Sequence, residues 1–475
     1  MAESLIISVS GMRGVVGENL TPIVAAEYGC AFGTFLRSSI DTGGRPFTVC
    51  IGRDSRVSGS MLLSAVAAGL CAIGVSAVDL GVVPTPSVGI MLRRFRCQGG
   101  VIITASHNPL PYNGIKLLLG NGMAPPIAMA NEIRRIFWDR HFHFVDSSHC
   151  GKVTGNSDAY RVHIEQVLRL VNVEQIAARR YKVVLDSVNG AGGDVTKALL
   201  AELGCEVVAI NDEPTGLFAH EPEPTAENLT GLCWRVKQEH ADLGLAQDPD
   251  ADRLAIVDEQ GAYIGEEYTL ALAALQAFSK GTGTAVANLS TSRMLDDVAR
   301  RAGGSVIRTP VGEAHVANAM IEHGALIGGE GNGGVIDLRV GPIRDSLVGI
   351  VLILQLMAET GKTISQLVQE IGGYSMHKDK FRADAQQARQ IQEMAVARFD
   401  NAAMNVSDGL RLDFPDGWMH LRTSNTEPVM RVIVEARDEP TARRYLQAVA
   451  DIRRAVLQPA ATPDERARAN AKPGE

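Results

Sequence analysis

Val49-Cys50-Ile51-Gly52-Arg53-Asp54, Val183-Val184-Leu185-Asp186-Ser187-Val188-Asn189-Gly190 and Val286-Ala287-Asn288-Leu289-Ser290-Thr291 are three occurrences of one pattern. In each, a Val- and Ile-rich run reads as a buried strand that enters a small, polar loop and then a helix. Between them lie long helical stretches rich in Ala and Leu. Such alternation is the signature of α/β layers, and ligands in those sheets gather at the carboxyl ends of strands. The repetition predicts three similar three-layer α/β/α domains.

Outward from these segments, the polar stretch from Asp146 to Asn156 reads as the exit from the first domain. A second polar shift falls near the strand Leu254-Ala255-Ile256-Val257, and the pattern changes again after Gly372-Gly373. The expected domains are therefore 1–150, 151–257 and 258–372. Beyond them, a helical run from Asp384 to Phe399, then strands and a helix from Thr441, predict a smaller α+β domain over 373–457. Residues 458–475 have little to bury and are expected to be disordered. A length of 475 residues suits three or four domains at roughly 100–200 residues each.

Composition narrows the function. With 45% hydrophobic and 21% charged residues the chain is an ordinary globular protein. Net charge −8 and a pI near 5.8 exclude a broad surface for nucleic acid or anionic membrane. An anionic ligand must then be met by a local cluster of Arg and backbone N–H groups. The seven cysteines (Cys30, Cys50, Cys71, Cys97, Cys150, Cys205 and Cys233) are scattered, without a C-x-x-C pair, and read as thiols in a reducing compartment. Val57 to Val78 is free of charge and nominally long enough to span a bilayer. It contains Ser58, Ser60, Ser64 and Ser76, however. Gly74 reads as a helix end and Val75-Ser76-Ala77-Val78 as the next strand, so a helix packed between layers is expected. Met1-Ala2-Glu3-Ser4 lacks the basic region and long apolar core of a secretion signal, and the expected location is cytoplasmic.

Four motifs carry chemistry. The strand Gly100-Val101-Ile102-Ile103 ends at Thr104-Ala105-Ser106-His107-Asn108-Pro109, which places Ser106 as a nucleophile or phosphate carrier; the alternative is a plain Ser/Asn/Pro turn. Adjacent strand residues point apart, so His107 is not expected to activate Ser106 directly. Asp248-Pro249-Asp250-Ala251-Asp252-Arg253 follows the apolar strand Leu243-Gly244-Leu245-Ala246. Three carboxylates at alternate positions repel one another unless a cation sits among them, and all-oxygen ligation suits Mg²⁺. A Ca²⁺ hand fails because Arg253 stands where that loop needs Gly and because Leu254 to Val257 read as strand. A solvated acidic turn fits poorly between buried strands. Arg422-Thr423-Ser424-Asn425-Thr426-Glu427-Pro428, followed by Arg431, offers guanidinium forks, hydroxyls and loop N–H groups to a phosphate dianion; a polar hairpin is the alternative. Gly328-Gly329-Glu330-Gly331-Asn332-Gly333-Gly334 lets a ligand approach the backbone, with Glu330 and Asn332 to meet hydroxyls.

In this order the motifs resemble the α-D-phosphohexomutase superfamily, which comprises the phosphoglucomutases, phosphomannomutases and phosphoglucosamine mutases. The resemblance runs from Gly11-Met12-Arg13-Gly14 to about Ala436 and includes Gly52-Arg53-Asp54-Ser55-Arg56, Pro84-Thr85-Pro86 and Asn113-Gly114-Ile115-Lys116. It implies three α/β domains and a smaller fourth one around a central cleft. It also implies that Ser106 is the phosphoserine and that Asp248, Asp250 and Asp252 hold Mg²⁺, completed by a phosphoserine oxygen. Arg13 and Lys116 resemble residues that assist proton transfer. Arg253 would touch the phosphate or its neighbours, Glu330 and Asn332 would read sugar hydroxyls, and Arg422, Ser424, Asn425, Thr426 and Arg431 would grip the non-reacting phosphate.

The implied activity interconverts hexose 6-phosphate and hexose 1-phosphate through a bisphosphate intermediate, with a hexose 1,6-bisphosphate as activator. The implied partner is a small phosphosugar, with neither nucleic acid nor membrane, and the implied assembly is a monomer or homodimer. One departure stands out. The family commonly shows Gly-Glu-x-Ser-Gly-His in the sugar loop, whereas here Asn332 replaces the Ser and Gly334 the His. Proton transfer then falls to Arg13 and Lys116, with His315 a bystander. The variant loop resembles a bacterial subgroup of phosphoglucosamine mutases, which makes glucosamine 6-phosphate to glucosamine 1-phosphate the expected reaction. The alternatives are glucose or mannose phosphate as substrate, a metal-dependent sugar phosphatase, or a non-catalytic sugar-phosphate sensor.

Overall fold

The computed structural model describes residues 5–8, 11–423 and 429–457. The chain forms two compact units: Met1–Arg308 with Gly312–Gly372, and Thr309–Val311 with the chain from Gly373 onward.

In the first unit, β1 (Ile6–Ser8), β2 (Gly11–Val15), β3 (Thr48–Arg53), β4 (Ser76–Val82), β5 (Gly99–Ile103), β6 (Tyr112–Leu119) and β7 (Val153–Gly155) make a sheet ordered β1-β2-β6-β5-β3-β4-β7. A second sheet, β8 (Lys182–Asp186), β9 (Glu206–Ile210), β10 (Leu243–Gln247) and β11 (Leu254–Val257), is ordered β11-β10-β8-β9. The third, β12 (Thr284–Asn288), β13 (Ser305–Thr309), β14 (Ile327–Glu330) and β15 (Gly334–Ile336), is ordered β15-β14-β12-β13. The run β6-β5-β3-β4 of the first sheet repeats in the other two, so the three motifs seen in sequence are three copies of one topology.

The copies share a further feature. β5, β10 and β14 each lie parallel to the first strand of their copy, and each is followed by an antiparallel partner: β6, β11 and β15. The Ser106, triple-aspartate and sugar loops are these three connections. The expected α/β fold class is what is found, and its functional loops occupy one equivalent position.

The charge-free stretch after Val57 is the helix Gly59–Ala72, followed by Gly74 at φ +78° and then β4. Leu62, Val66 and Leu70 are buried in the core. It packs closely on the helix Pro22–Ser39 because Gly69 lacks a Cβ, which would strike the Ala26 carbonyl. Among the described residues no single helix is long and apolar enough to cross a membrane.

The second unit holds β16 (Ser375–Arg382), β17 (Ala403–Asn405), β18 (Leu410–Phe414), β19 (Gly417–Thr423) and β20 (Val429–Ala436) in an antiparallel sheet ordered β16-β20-β19-β18-β17. Alternation along β20 buries Met430, Val432 and Val434. The helices Ala385–Arg398 and Glu439–Leu457 cover that face with Ile391, Tyr445 and Val449. Asp384 and Gln387 form a capping box at the start of the first of these helices. Residues 458–475 lie outside the described residues.

Candidate active site

β5 ends at Ile103, so Ser106 sits beyond the strand in left-handed backbone, φ +52°. A non-glycine residue stays there only if its surroundings hold it. Arg56, 1% exposed, does so: its guanidinium donates to the carbonyls of Ser106 and Asn108 at 2.7 Å and of Pro109 and Tyr112 at 3.1 Å. Asp54, fully buried, accepts from Arg56 Nε at 3.0 Å and from Thr104 Oγ1 at 2.7 Å, and Thr104 Oγ1 in turn accepts from Ser106 N.

The turn also revises the expectation for His107. Because Ser106 is off the strand, the two side chains do not diverge, and His107 Nδ1 lies 3.3 Å from Ser106 Oγ. Burial, reinforced by Arg253 and Arg13, pushes the imidazole down to about 2, so it is neutral near pH 7.

Ser106 Oγ is 3.2 Å from Asp248 Oδ2. Asp248, Asp250 and Asp252 are buried, with ligand oxygens within 4.8 Å of one another, and Ala251 at φ +52° makes the turn that gathers them. Each carboxylate has one oxygen held by the protein. Asp248 Oδ1 accepts from the N–H groups of Asp252 and Arg253. Asp250 Oδ2 accepts from Thr85 Oγ1 at 2.7 Å and Lys116 Nζ at 2.8 Å. Asp252 Oδ2 accepts from Arg344 Nη2 at 2.6 Å. The other oxygens of Asp250 and Asp252 are buried without a hydrogen-bond partner, and that of Asp248 faces Ser106. Burial and the charges of Asp252 and Asp250 push the Asp248 carboxyl well above its ordinary value. Three hard, converging, under-neutralised oxygens fit a divalent cation such as Mg²⁺.

Lys116 is part of this centre rather than of the surface. Burial opposes its charge, but Asp250 and Asp252 outweigh burial and raise it above the ordinary lysine value. Asp250 is the converse: burial pushes it up, while Lys116 and Thr85 hold it well below. Arg253 Nε is buried without a hydrogen-bond partner, 4.0 Å from Asp248 and 3.9 Å from Asp252. Arg13 donates to Asn108 Oδ1 at 3.0 Å, beside the Ser106 loop.

The sugar loop closes onto the metal loop. Leu254 N donates to the Gly333 carbonyl, and Gly333, at φ +85°, has no room for a Cβ against Leu254. Glu330 Oε1 accepts from Asn288 Nδ2 and Gly312 N, and its Oε2 from Arg344 Nη1 at 2.6 Å. Asn332 Oδ1 is buried without a partner, as an acceptor awaiting a hydroxyl would be. His315 is exposed.

In the second unit, Arg422 on β19 and Arg431 on β20 are cross-strand partners. Ser424, Asn425 and Thr426 lie outside the described residues. Sequence reasoning missed Arg344 and the supporting contacts of Arg56, Asp54 and Thr85. Gly52-Arg53-Asp54-Ser55-Arg56 and Pro84-Thr85-Pro86 were visible as motifs, without a reason for their residues.

Family models described as phosphoglucomutase/phosphomannomutase α/β/α domains I, II and III match residues 5–143, 158–261 and 265–374, and the C-terminal domain of that family matches 378–452. A protein of Thermococcus kodakarensis named "Phosphoglucomutase/phosphomannomutase" is 40% identical over 442 residues, 92% of this chain and 96% of its own. One of Methanopyrus kandleri named "Probable phosphoglucosamine mutase" is 38% identical over 453 residues, 94% of this chain and 98% of its own. The crystal structure of a phosphoglucomutase/phosphomannomutase family protein from Burkholderia thailandensis matches with a TM-score of 0.84 at 28% identity, over 96% of this chain and 99% of that one.

Proposed function

This chain belongs to the phosphoglucomutase/phosphomannomutase family, and from that premise we propose which hexose phosphate it takes and which side chains carry the reaction. It is a phosphohexomutase, an intramolecular phosphotransferase acting on phosphosugars. The substrate pair is glucosamine 6-phosphate and glucosamine 1-phosphate, a reading supported by the Asn332 and Gly334 variant of the sugar loop and by the name of the Methanopyrus relative. The Thermococcus relative's name favours glucose or mannose phosphate as the second reading.

The observation that carries the residue roles is Ser106 Oγ at 3.2 Å from Asp248, on the rim of the aspartate triad. Phosphorylated Ser106 passes its phosphoryl group to the free hydroxyl of the bound sugar phosphate, giving a bisphosphate. After the sugar turns end for end, Ser106 takes back the other phosphoryl group and the isomer leaves. A hexose 1,6-bisphosphate primes the cycle by phosphorylating Ser106.

Asp248, Asp250 and Asp252 hold Mg²⁺, which when bound offsets charge on the transferring phosphoryl group. Lys116, held charged by Asp250, is placed to give a proton to Ser106 Oγ as the phosphoryl group leaves it and to be restored by the proton that the attacking sugar hydroxyl loses, with Arg13 assisting. Arg253 meets the phosphoryl oxygens, and Glu330 and Asn332 meet sugar hydroxyls. Arg422, Ser424, Asn425, Thr426 and Arg431 grip whichever phosphate is not transferring, by charge rather than by sugar identity. A cytoplasmic setting suits seven cysteines that are all free.

A mutase assay with Mg²⁺ and a bisphosphate primer tests this, comparing glucosamine 6-phosphate, glucose 1-phosphate and mannose 1-phosphate. Preference for glucosamine phosphate, lost in Ser106→Ala, is the expected result. Preference for another hexose replaces the substrate, and turnover surviving in Ser106→Ala overturns the phosphoserine.

A further inference from the structure

We propose that Arg344 is a positioning residue matched to Gly334, its guanidinium fork setting Asp252 toward the cation and Glu330 toward the sugar. This rests on the reading that the aspartate triad holds a divalent ion. The connection between β15 and the helix Ser346–Thr360 delivers Arg344 into the gap between the metal and sugar loops. Its Nη2 donates to Asp252 Oδ2 at 2.6 Å, its Nη1 to Glu330 Oε2 at 2.6 Å and its Nε to Glu313 Oε2 at 3.1 Å. Three carboxylates from three segments thus share one planar group that is 11% exposed. Taking Asp252 Oδ2 leaves Oδ1 as the oxygen without a partner, so the fork selects which atom the triad offers.

The pose of Arg344 depends on the absence of a side chain at 334. A Cβ there would overlap Arg344 Cδ and crowd its Cγ, atoms that the three carboxylates prevent from moving aside. The histidine common in the family and Arg344 in this pose exclude one another. The departure noted in the sequence is what leaves room for Arg344 in this pose. The base of Arg344 is anchored too. Asp345 N donates to the Val335 carbonyl, and Asp345 Oδ1 caps the helix through Leu347 N. Asp345 Oδ2 is 2.7 Å from His163 Nε2, and His163 Nδ1 is 2.8 Å from Ser87 Oγ.

A guanidinium can serve as charge, as filler or as fork, and Mn²⁺ binding to the full chain separates the three. Titration would compare the unaltered protein with Arg344→Lys, Arg344→Met, Gly334→Ala and the Gly334→Ala/Arg344→Met double variant, with melting curves to confirm folding. Arg344→Met and Arg344→Lys are both expected to weaken Mn²⁺ about 10–100-fold, because one ammonium cannot bridge three carboxylates. Gly334→Ala is expected to weaken it alone, yet by less than about twofold in the Arg344→Met background, where the overlap no longer exists. Unchanged or tighter Mn²⁺ binding in Arg344→Met, full restoration by Lys, or additive losses would each overturn the proposal. Should Arg344→Met fail to fold, Arg344→Lys and Gly334→Ala decide it. Failure of the unaltered protein to bind Mn²⁺ would remove the cation premise itself, a result distinct from variants that merely match the parent.

Discussion

Arg422 and Arg431 stand directly opposite one another on β19 and β20, two like charges in register on an antiparallel pair. Such a pair is unfavourable unless an anion is shared between them. Asp408, 3.3 Å from Arg422 Nε, relieves one of the two. Arg431→Ala is therefore expected to leave the ligand-free protein as stable as before, or slightly more so. It should raise KM for the sugar phosphate tenfold or more, as loss of a charge-assisted hydrogen bond of about 1.5–3 kcal/mol requires. Melting temperature and steady-state kinetics at two salt concentrations check both halves.

Arg56 holds the Ser106 loop from beneath through Asp54 and four backbone carbonyls. Removing it leaves Asp54 as an uncompensated buried charge and frees four carbonyls of the Ser106 loop. Arg56→Met should lower stability by about 3–5 kcal/mol in chemical denaturation and abolish phosphorylation of Ser106 by the bisphosphate primer. Arg56→Lys should recover little of either, since one ammonium cannot reach all these acceptors.

Lys116 is expected to act on the chemical step. Lys116→Met should lower kcat by about 10²–10⁴-fold with a much smaller change in KM, the size usual for loss of a positioned acid–base group. A change confined to KM would assign Lys116 to binding instead.

Metal addition should be visible in stability. Asp248, pushed well above its ordinary carboxyl value by burial and its two neighbours, opposes folding while ionised until a cation joins the triad, so Mg²⁺ should raise the melting temperature. A hundredfold excess over Kd corresponds to about 2.7 kcal/mol. Asp248→Asn removes the most strongly repelled member of the triad. It should melt no lower than the parent without Mg²⁺ and gain little from its addition.

His420, fully buried on β19, donates from Nε2 to the Asp408 carbonyl at 2.7 Å. Burial pushes it down from 6.5 to about 4. A histidine depressed in the folded state binds more protons when unfolded, so its contribution is complete above pH 6.5 and lost as pH falls toward 4. His420→Gln should flatten the fall in stability over that window while leaving stability near pH 8 closer to the parent's. An unchanged slope would place the acid sensitivity elsewhere.

The three strand-loop-helix repeats were legible because each strand's Val- and Ile-rich run and each loop's small polar residues are local features. The Ser106 and aspartate loops were legible for the same reason: a nucleophile at a strand end and carboxylates at alternate positions state their chemistry within a few residues. The approach of His107 to Ser106 was not legible, because strand alternation was applied beyond the strand end, whereas Arg56 holds the backbone left-handed at Ser106.

Arg344 lay out of reach for a different reason. Its partners Asp252, Glu313 and Glu330 are far from it in the chain, and its room comes from a missing side chain at Gly334. Residue types and short spacings state which groups can bind a cation, carry a phosphate or face a sugar. Which oxygen of Asp250 and of Asp252 is held back and which is left over depends on Thr85 and Lys116 from the first copy of the fold and on Arg344 from the third. Hydrogen bonds form across space, and no spacing along the chain encodes a contact between residues that only folding makes neighbours.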